Sequence, residues 1–281
     1  MRGGEELRVA DVVREYAATR RDHVAVRQDD RELTYGELDE RSNRLAQALL
    51  AAGAQAGSRI AYLDRTAPEV IELLFAAGKI GAVVVPLNWR LAPSELAAIV
   101  DDARPRVLVA GETYAEVAAG LAPPQLVIAG AGYERWIAAH EPVDPGGRGE
   151  SDDVVVQMYT SGTTGVPKGV LTTHRNLAAA AASSPLWQFD AGTISMTPLP
   201  MFHIGGIGWA FLGLWNGATT ILVREFVPEA VLDVLERQRV TNTTITTSVA
   251  MTYTTAGLGT SQANAEVPSV AFSQSTILGR T

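Results

Sequence analysis

Residues 154–170 are the most informative stretch of the chain and read Val-Val-Val-Gln-Met-Tyr-Thr-Ser-Gly-Thr-Thr-Gly-Val-Pro-Lys-Gly-Val. The first six residues, Val154 to Tyr159, are mostly apolar and predict a buried strand. The residues after them combine glycines, hydroxyl side chains and one lysine, which is typical of a loop. The stretch therefore predicts a strand that leads directly into a polar, glycine-rich loop.

This loop has the chemistry needed to hold a polyphosphate. Glycine lets the backbone adopt positive φ and lets a ligand approach the main chain, and successive N–H groups in such a turn bind anions. The hydroxyls add neutral donors, and the lysine adds a mobile positive charge. We predict that the loop binds nucleotide phosphates through seven residues: Thr160, Ser161, Gly162, Thr163, Thr164, Gly165 and Lys168.

The loop does not match the Walker A pattern, which requires Gly-Lys followed by Ser or Thr. Here Lys168 follows Pro167 and precedes Gly169. Residues 159–170 instead resemble, almost letter for letter, the phosphate loop of the adenylate-forming superfamily. That superfamily includes acyl-CoA synthetases, luciferases and the adenylation domains of peptide synthetases. A solvated turn between a strand and a helix is the alternative interpretation of the same residues.

Composition excludes several classes of protein. The chain has 281 residues, of which 47% are hydrophobic, so it can bury one large core or two smaller ones. A net charge of −8 and the lack of a basic stripe argue against a nucleic-acid partner, and the absence of cysteine excludes disulfides. Neither a signal peptide nor a transmembrane run of 18 apolar residues is present, so we expect a cytoplasmic protein.

Strand and helix signals alternate along the chain. Thr34 and Glu37 form a capping box that predicts a helix ending near Gly53. Further strands are predicted over 59–63, 82–86 and 106–110, and further helices over 68–77, 94–103, 174–182 and 227–237. This alternation predicts an α/β fold of parallel sheets flanked by helices. The resemblance implies the two subdomains of the superfamily's N-terminal domain, incomplete at the C-terminus.

A segment rich in proline and glycine, 142–149, predicts a loop or a junction between subdomains. We therefore expect a first α/β subdomain over 1–142 and a phosphate-loop subdomain over 150–245. The tail over 246–281 is rich in threonine and serine and nearly free of charge, which is atypical of a folded domain. We interpret it as a frameshifted or truncated end, and an unusual but genuine segment is the alternative.

A second candidate site lies over 198–206, which read Pro-Leu-Pro-Met-Phe-His-Ile-Gly-Gly and predict a rigid turn around one imidazole. The superfamily has a Phe-His pair in this place, bordering the acyl pocket and the route of coenzyme A. The resemblance thus implies a substrate pocket formed by Phe202, His203, Gly205 and Gly206, with His203 also catalytic. A purely structural histidine is the alternative. Members that activate amino acids usually carry Phe-Asp here, so His203 favours an acid joined to coenzyme A.

The resemblance implies two half-reactions. A fatty or aryl carboxylate attacks the α-phosphorus of ATP, giving an acyl-adenylate and pyrophosphate, and the thiol of coenzyme A then displaces AMP. ATP, Mg²⁺ and coenzyme A are the implied cofactors, with Lys168 as a catalytic residue that orients the leaving phosphates. No His or Cys cluster has the spacing of metal ligands, so we predict no metal-ligating residues on the chain.

The chain lacks several features that the resemblance leads one to expect, namely a Thr-Glu magnesium motif, a ribose-binding aspartate and a C-terminal lysine. We therefore expect this fragment alone to be inactive. The alternative from another class is a non-catalytic remnant that binds at most a nucleotide or a partner. An amino-acid adenylation module is the third and least favoured interpretation. Neither the acid nor the oligomeric state follows from the sequence.

Overall fold

The computed structural model describes residues 8–147, 149–160 and 167–244. Its helices are α1 (Val9–Thr19), α2 (Tyr35–Ala51), α3 (Pro68–Ile80), α4 (Pro93–Ala103), α5 (Ala115–Gly120), α6 (Ala131–Ala138), α7 (His174–Ala181), α8 (Ile204–Trp215) and α9 (Pro228–Arg237). Its strands are β1 (Val24–Gln28), β2 (Arg31–Thr34), β3 (Arg59–Leu63), β4 (Val83–Pro86), β5 (Val107–Ala110), β6 (Leu126–Ile128), β7 (Val154–Thr160), β8 (Lys168–Thr173), β9 (Ile194–Thr197), β10 (Thr219–Leu222) and β11 (Asn242–Thr243). Ser161–Gly165 and the tail 246–281 lie outside these ranges.

Two sheets organise these elements. The six-stranded sheet has the order β6-β5-β3-β4-β7-β8, and the five-stranded sheet has the order β11-β9-β10-β1-β2. All pairings are parallel except those of the edge strands β8 and β2. The predicted α/β fold of parallel sheets flanked by helices is therefore confirmed. Each sheet takes strands from both sides of the segment 142–149, and the division into subdomains at that segment stays a prediction.

Helix α2 begins as the capping box predicted. The hydroxyl of Thr34 accepts a hydrogen bond from the N–H of Glu37, and the Thr34 N–H donates to the Glu37 carboxylate at 2.8 Å. Gly53, the predicted stop, follows with φ of 83°. The strand predicted over 59–63 has the observed bounds of β3. Local sequence signals thus define this part of the fold well.

Helix α3 lies between the two sheets and is buried along nearly its whole length. The sequence predicted a helix over 68–77 and did not predict this burial. Its three ionisable side chains are paired by residues outside the helix: Glu69 with Arg31, Glu72 with Arg41, and Lys79 with Asp39. A buried charge needs such a partner, because transfer out of water is costly.

The segment 142–149, predicted as a loop, is held against α1 and α2 by side chains. Arg14 donates two hydrogen bonds of 2.7 Å to the Asp144 carboxylate and one of 2.8 Å to the Gly147 carbonyl. Gln47 donates to the Val143 carbonyl at 2.7 Å. The described residues 143–147 are therefore fixed against these two helices.

Helix α8 packs closely on the five-stranded sheet because of a glycine. A Cβ built at Gly213 would lie 2.6 Å from the hydroxyl oxygen of Thr220 and 3.4 Å from the Cβ of Ser195. The equivalent atom at Gly208 would meet only Ile204, one turn earlier on the same helix, at 3.8 Å. The two glycines of one helix thus differ in the space available to a side chain.

This difference gives a test of the packing. We expect Gly213→Ala to lower the free energy of unfolding by about 1–3 kcal/mol through overpacking. Gly208→Ala should leave it unchanged or raise it by up to about 1 kcal/mol, because alanine favours the helix. Urea unfolding of both variants and the wild type measures these changes. Equal effects of the two substitutions would contradict the close approach of α8 to β10.

Candidate functional site

The carboxyl ends of the parallel strands define one edge of each sheet, where ligands of α/β proteins bind. On the six-stranded sheet, Asp64 follows β3, Trp89 lies in the segment after β4, and Thr160 ends β7. On the five-stranded sheet, Phe202 lies in the segment after β9 and Arg224 in the segment after β10. Contacts between these segments, given below, show that the two edges meet at a crevice.

Aromatic side chains join the two edges. The rings of Trp89 and Phe202 are 6.4 Å apart between centroids and meet edge to face at 81°. Phe202 in turn lies 4.5 Å from the ring of His203, and Trp89 lies 6.4 Å from Tyr114. The predicted Phe-His pair therefore faces residues of the other sheet.

A cation completes this aromatic group. The guanidinium carbon of Arg90 lies 4.6 Å from the centroid of Trp89 and 5.9 Å from that of Phe202. Within the described ranges Arg90 has no carboxylate partner. Burial, reinforced by the positive charge of Arg90, lowers the pKa of His203. The crevice thus offers a stacked guanidinium for an anion beside an imidazole that is neutral at neutral pH.

The predicted pocket glycines begin α8. A Cβ at Gly206 would lie 2.1 Å from the Pro200 carbonyl oxygen, so this glycine is needed for the turn to pack on the helix. Gly205 is exposed, and a Cβ there would meet the end of the Leu199 side chain at 3.1 Å. Contact of either glycine with a substrate stays a prediction.

The phosphate loop connects two adjacent antiparallel strands. Thr160, at the end of β7, pairs directly with Lys168, at the start of β8, so the loop leaves and rejoins the sheet at one point. Both residues are exposed, and Lys168 has no ion pair with the residues that the structure describes. Ser161, Gly162, Thr163, Thr164 and Gly165 lie outside those residues, so their role in phosphate binding stays a prediction.

A row of hydrogen-bonded side chains supports the start of this loop. The sequence did not predict it. Arg59 donates to the side-chain oxygen of Gln157 at 3.1 Å, the side-chain amide of Gln157 donates to the Tyr159 hydroxyl at 2.7 Å, and that hydroxyl donates to the Asp102 carboxylate. Burial and the bond to Asp102 raise the pKa of Tyr159. A Cβ at Gly169 would lie 2.6 Å from the side-chain amide nitrogen of Gln157, so a larger residue there would displace that amide. These contacts therefore hold β7 and β8 in place at the base of the loop.

Neither a metal site nor a membrane span is found in the described ranges. They contain no group of three or more His, Cys, Asp or Glu side chains that could hold a metal ion. None of the helices described is long and apolar enough to cross a membrane.

The fold is α/β, and the contacts described above define a candidate ligand site where the carboxyl edges of the two sheets meet. The chain belongs to the AMP-binding enzyme family, because the model of that family, described as AMP-binding enzyme, matches residues 13–275. The resemblance drawn from the phosphate loop is thereby confirmed.

Several known proteins are similar to the chain. A fatty acid–[acyl-carrier-protein] ligase from Streptomyces coeruleorubidus is 37% identical over 245 residues, which are 84% of this chain and 47% of the relative. A feruloyl-CoA synthase from an Amycolatopsis species is 42% identical over 221 residues, which are 77% of this chain and 44% of the relative. The inhibitor-bound N-terminal domain of FACL13 from Mycobacterium tuberculosis superposes with a TM-score of 0.84 at 26% identity, covering 93% of this chain and 68% of that one. The chain spans about half the length of these curated relatives.

Sequence reasoning missed Trp89, Arg90, Asp64 and Arg224. One signal was available for Trp89, Arg90 and Asp64, because each follows a predicted strand at the edge where α/β proteins bind ligands. No local pattern marks Asp64 and Arg224 as partners, since they are 160 residues apart.

His174 begins α7, as predicted, and has a structural position. Its ring is buried, and its Nδ1 accepts a hydrogen bond of 3.2 Å from the N–H of Val9 at the start of α1. Burial lowers the pKa of His174, with a further contribution from the positive charge of Arg8. Protonation of Nδ1 would remove the acceptor that holds α1.

We expect this histidine to make stability depend on pH. Because its folded pKa lies below the unfolded value of about 6.5, its contribution is complete above that pH and is lost as pH falls towards the folded pKa. In His174→Gln, urea unfolding at several pH values should show a smaller loss of stability on acidification. His140→Gln, whose ring makes no hydrogen bond with described residues, should retain the wild-type slope. An unchanged slope in His174→Gln would refute the assignment.

Proposed function

We propose that the chain is the N-terminal part of a ligase that activates a fatty or aryl carboxylic acid with ATP and passes the acyl group to a thiol. The observation that carries this proposal is the crevice, where Phe202, His203 and Arg90 adjoin the sheet edge that also bears Thr160 and Lys168. The family and the named relatives support the reaction class, because those relatives are ligases of carboxylic acids.

The phosphate loop would act by positioning and by charge. Lys168 and the loop hydroxyls, with Thr160 at the base, would hold the β- and γ-phosphates of ATP while the acid attacks the α-phosphorus. A held pyrophosphate is a better leaving group, because its developing charge is stabilised by donors already in place. Bound Mg²⁺ would screen the phosphates. The residues that the structure describes contain no group of three or more His, Cys, Asp or Glu side chains that would hold it.

The aromatic side of the crevice would receive the acid and the thiol. Arg90 offers a guanidinium to an anion, and Phe202 and Trp89 offer apolar ring surface. A neutral His203 can accept the proton of a thiol as that thiol attacks the acyl-adenylate. One relative uses an acyl carrier protein and another uses coenzyme A, so the thiol donor is either a free cofactor or a carrier-bound group.

The competing proposal is that the chain is a non-catalytic remnant. The free energy of ATP binding expected from the phosphate loop favours this proposal for the chain alone. A lysine and three or four neutral donors contribute roughly 3–9 kcal/mol before ordering costs, at ~0.5–1.5 kcal/mol per neutral hydrogen bond and ~1.5–3 for a charged one. Association costs at least about 4 kcal/mol, which leaves at most about 5 kcal/mol. Millimolar affinity requires about 4 kcal/mol, so the phosphate loop alone supports ATP binding of about millimolar affinity or weaker.

We expect calorimetric titration of the chain with ATP to give a dissociation constant of about 1 mM or weaker. Lys168→Ala should weaken binding roughly tenfold or more, because a charged hydrogen bond contributes ~1.5–3 kcal/mol. Arg175→Ala removes an exposed cation of the same charge, paired with Asp152, and should leave ATP affinity unchanged. Equal losses in both variants would show that general charge, and not the phosphate loop, binds the nucleotide.

Pyrophosphate release tests the function itself. The chain is incubated with ATP, Mg²⁺, a panel of fatty, aryl and amino acids, and either coenzyme A or an acyl carrier protein. Release that depends on a fatty or aryl acid, and falls in Lys168→Ala and His203→Ala, supports the proposed ligase. Lack of release, together with ATP binding insensitive to Lys168→Ala, supports the remnant. Release that depends on an amino acid would identify an amino-acid adenylation module.

A further inference from the structure

One short segment, Asp64–Thr66, joins the six-stranded sheet to the five-stranded sheet at three points. The side-chain amide of Gln28, at the end of β1, donates a buried hydrogen bond of 2.8 Å to the Thr66 carbonyl. Arg224 lies 3.4 and 3.5 Å from the two oxygens of the Asp64 carboxylate. Arg65 forms an ion pair of 3.3 Å with Glu225. The last two contacts cross between the segments that follow β3 and β10.

The carboxylate of Asp64 has little freedom to leave this position. The side chain is buried, and a Cβ at Gly111 would lie 2.3 Å from its carboxyl carbon. Its other partner is the N–H of Arg65, which donates at 2.7 Å. A buried carboxylate requires compensation, and Arg224 is the only cation paired with it among the described residues. Arg224 itself is half-exposed, so it could turn to solvent if Asp64 did not attract it.

The same segment contacts the aromatic side of the crevice. The guanidinium carbon of Arg65 lies 5.3 Å from the centroid of Trp89, which meets Phe202 of the opposite edge. The residues that join the sheets are therefore one contact away from the residues that would receive the acid. A change in the spacing of the sheets at this point would separate Trp89 from Phe202.

We propose that Asp64 is a positioning residue, which acts through Arg224 to hold the carboxyl edges of the two sheets at the spacing that places Trp89 against Phe202. The ion pair of Arg65 with Glu225 supports the same spacing. Asp64 itself contacts neither Phe202 nor His203 through any described bond. The proposal concerns the width of the crevice and does not require that the chain be active.

The width can be measured directly because the chain contains no cysteine. Glu112→Cys lies just after β5 on one sheet, and Glu229→Cys lies in the first turn of α9 beside the other sheet. Both positions are exposed and have no ion pair with described residues. Spin labels on the two cysteines report the distance across the crevice by double electron–electron resonance, in the whole chain and without any ligand.

In this doubly labelled background, Asp64→Asn and Arg224→Gln should both shift the distance distribution to longer values and broaden it. Glu72→Gln is the matched control, because it also removes a buried, arginine-paired carboxylate but lies between α2 and α3. It should lower stability and leave the distance unchanged. Glu225→Arg, which places a cation opposite Arg65, should also broaden the distribution.

The outcomes separate this proposal from the proposed function. An unchanged distribution in Arg224→Gln, whose half-exposed site tolerates substitution, would overturn the positioning role. A shift of the same size in Glu72→Gln would also overturn it, because general loosening would then explain the effect. Neither result depends on ATP, the acid or pyrophosphate, so failure of the ligase assay leaves this test intact.

Discussion

The rest of the structure depends on the burial of α3, because a helix enclosed between two sheets carries three ionisable side chains. Each of them needs a partner of opposite charge, and each partner comes from another element: Arg31, Arg41 and Asp39. Lys79 also donates hydrogen bonds to the side-chain oxygens of Ser42 and Asn43, at 2.8 and 2.7 Å. Since an uncompensated buried charge is strongly destabilising, α2 can occupy only a narrow range of positions on α3.

The same burial fixes the crevice, because α3 starts directly after Asp64–Thr66. The N-cap of α3 is Ala67 and its first residue is Pro68, so no free linker separates the buried helix from the segment that joins the sheets. Movement of that segment would therefore displace the first turn of α3, where Glu69 pairs with Arg31. The spacing at the crevice depends on this end of α3 and not on the Glu72–Arg41 pair, which joins α3 to α2. Phe202 and His203 lie on a turn that packs against α8 at Gly206.

Much of this architecture could be predicted from local signals, and the parts that could not depend on distant partners. The capping box of α2 and the apolar runs of β3 and β5 predicted these three elements accurately, because each signal spans only a few neighbouring residues. Strand β8 was missed, since its first four residues are exposed and show no alternation of apolar and polar side chains. The loop and Phe202–His203 were found as motifs. Trp89 and Arg90 join that site only when the two sheets meet.

Support at both ends of the phosphate loop has a consequence for binding. Thr160 and Lys168 are paired in the sheet, and Tyr159, next to Thr160, is held by Gln157 and Asp102. A loop whose ends are already fixed loses less conformational entropy when it closes on a ligand than a free segment does. For the proposed nucleotide binding, ordering of the loop ends would therefore cost little. The number of donors that reach the phosphates, and further contacts to the nucleoside, would then determine the affinity.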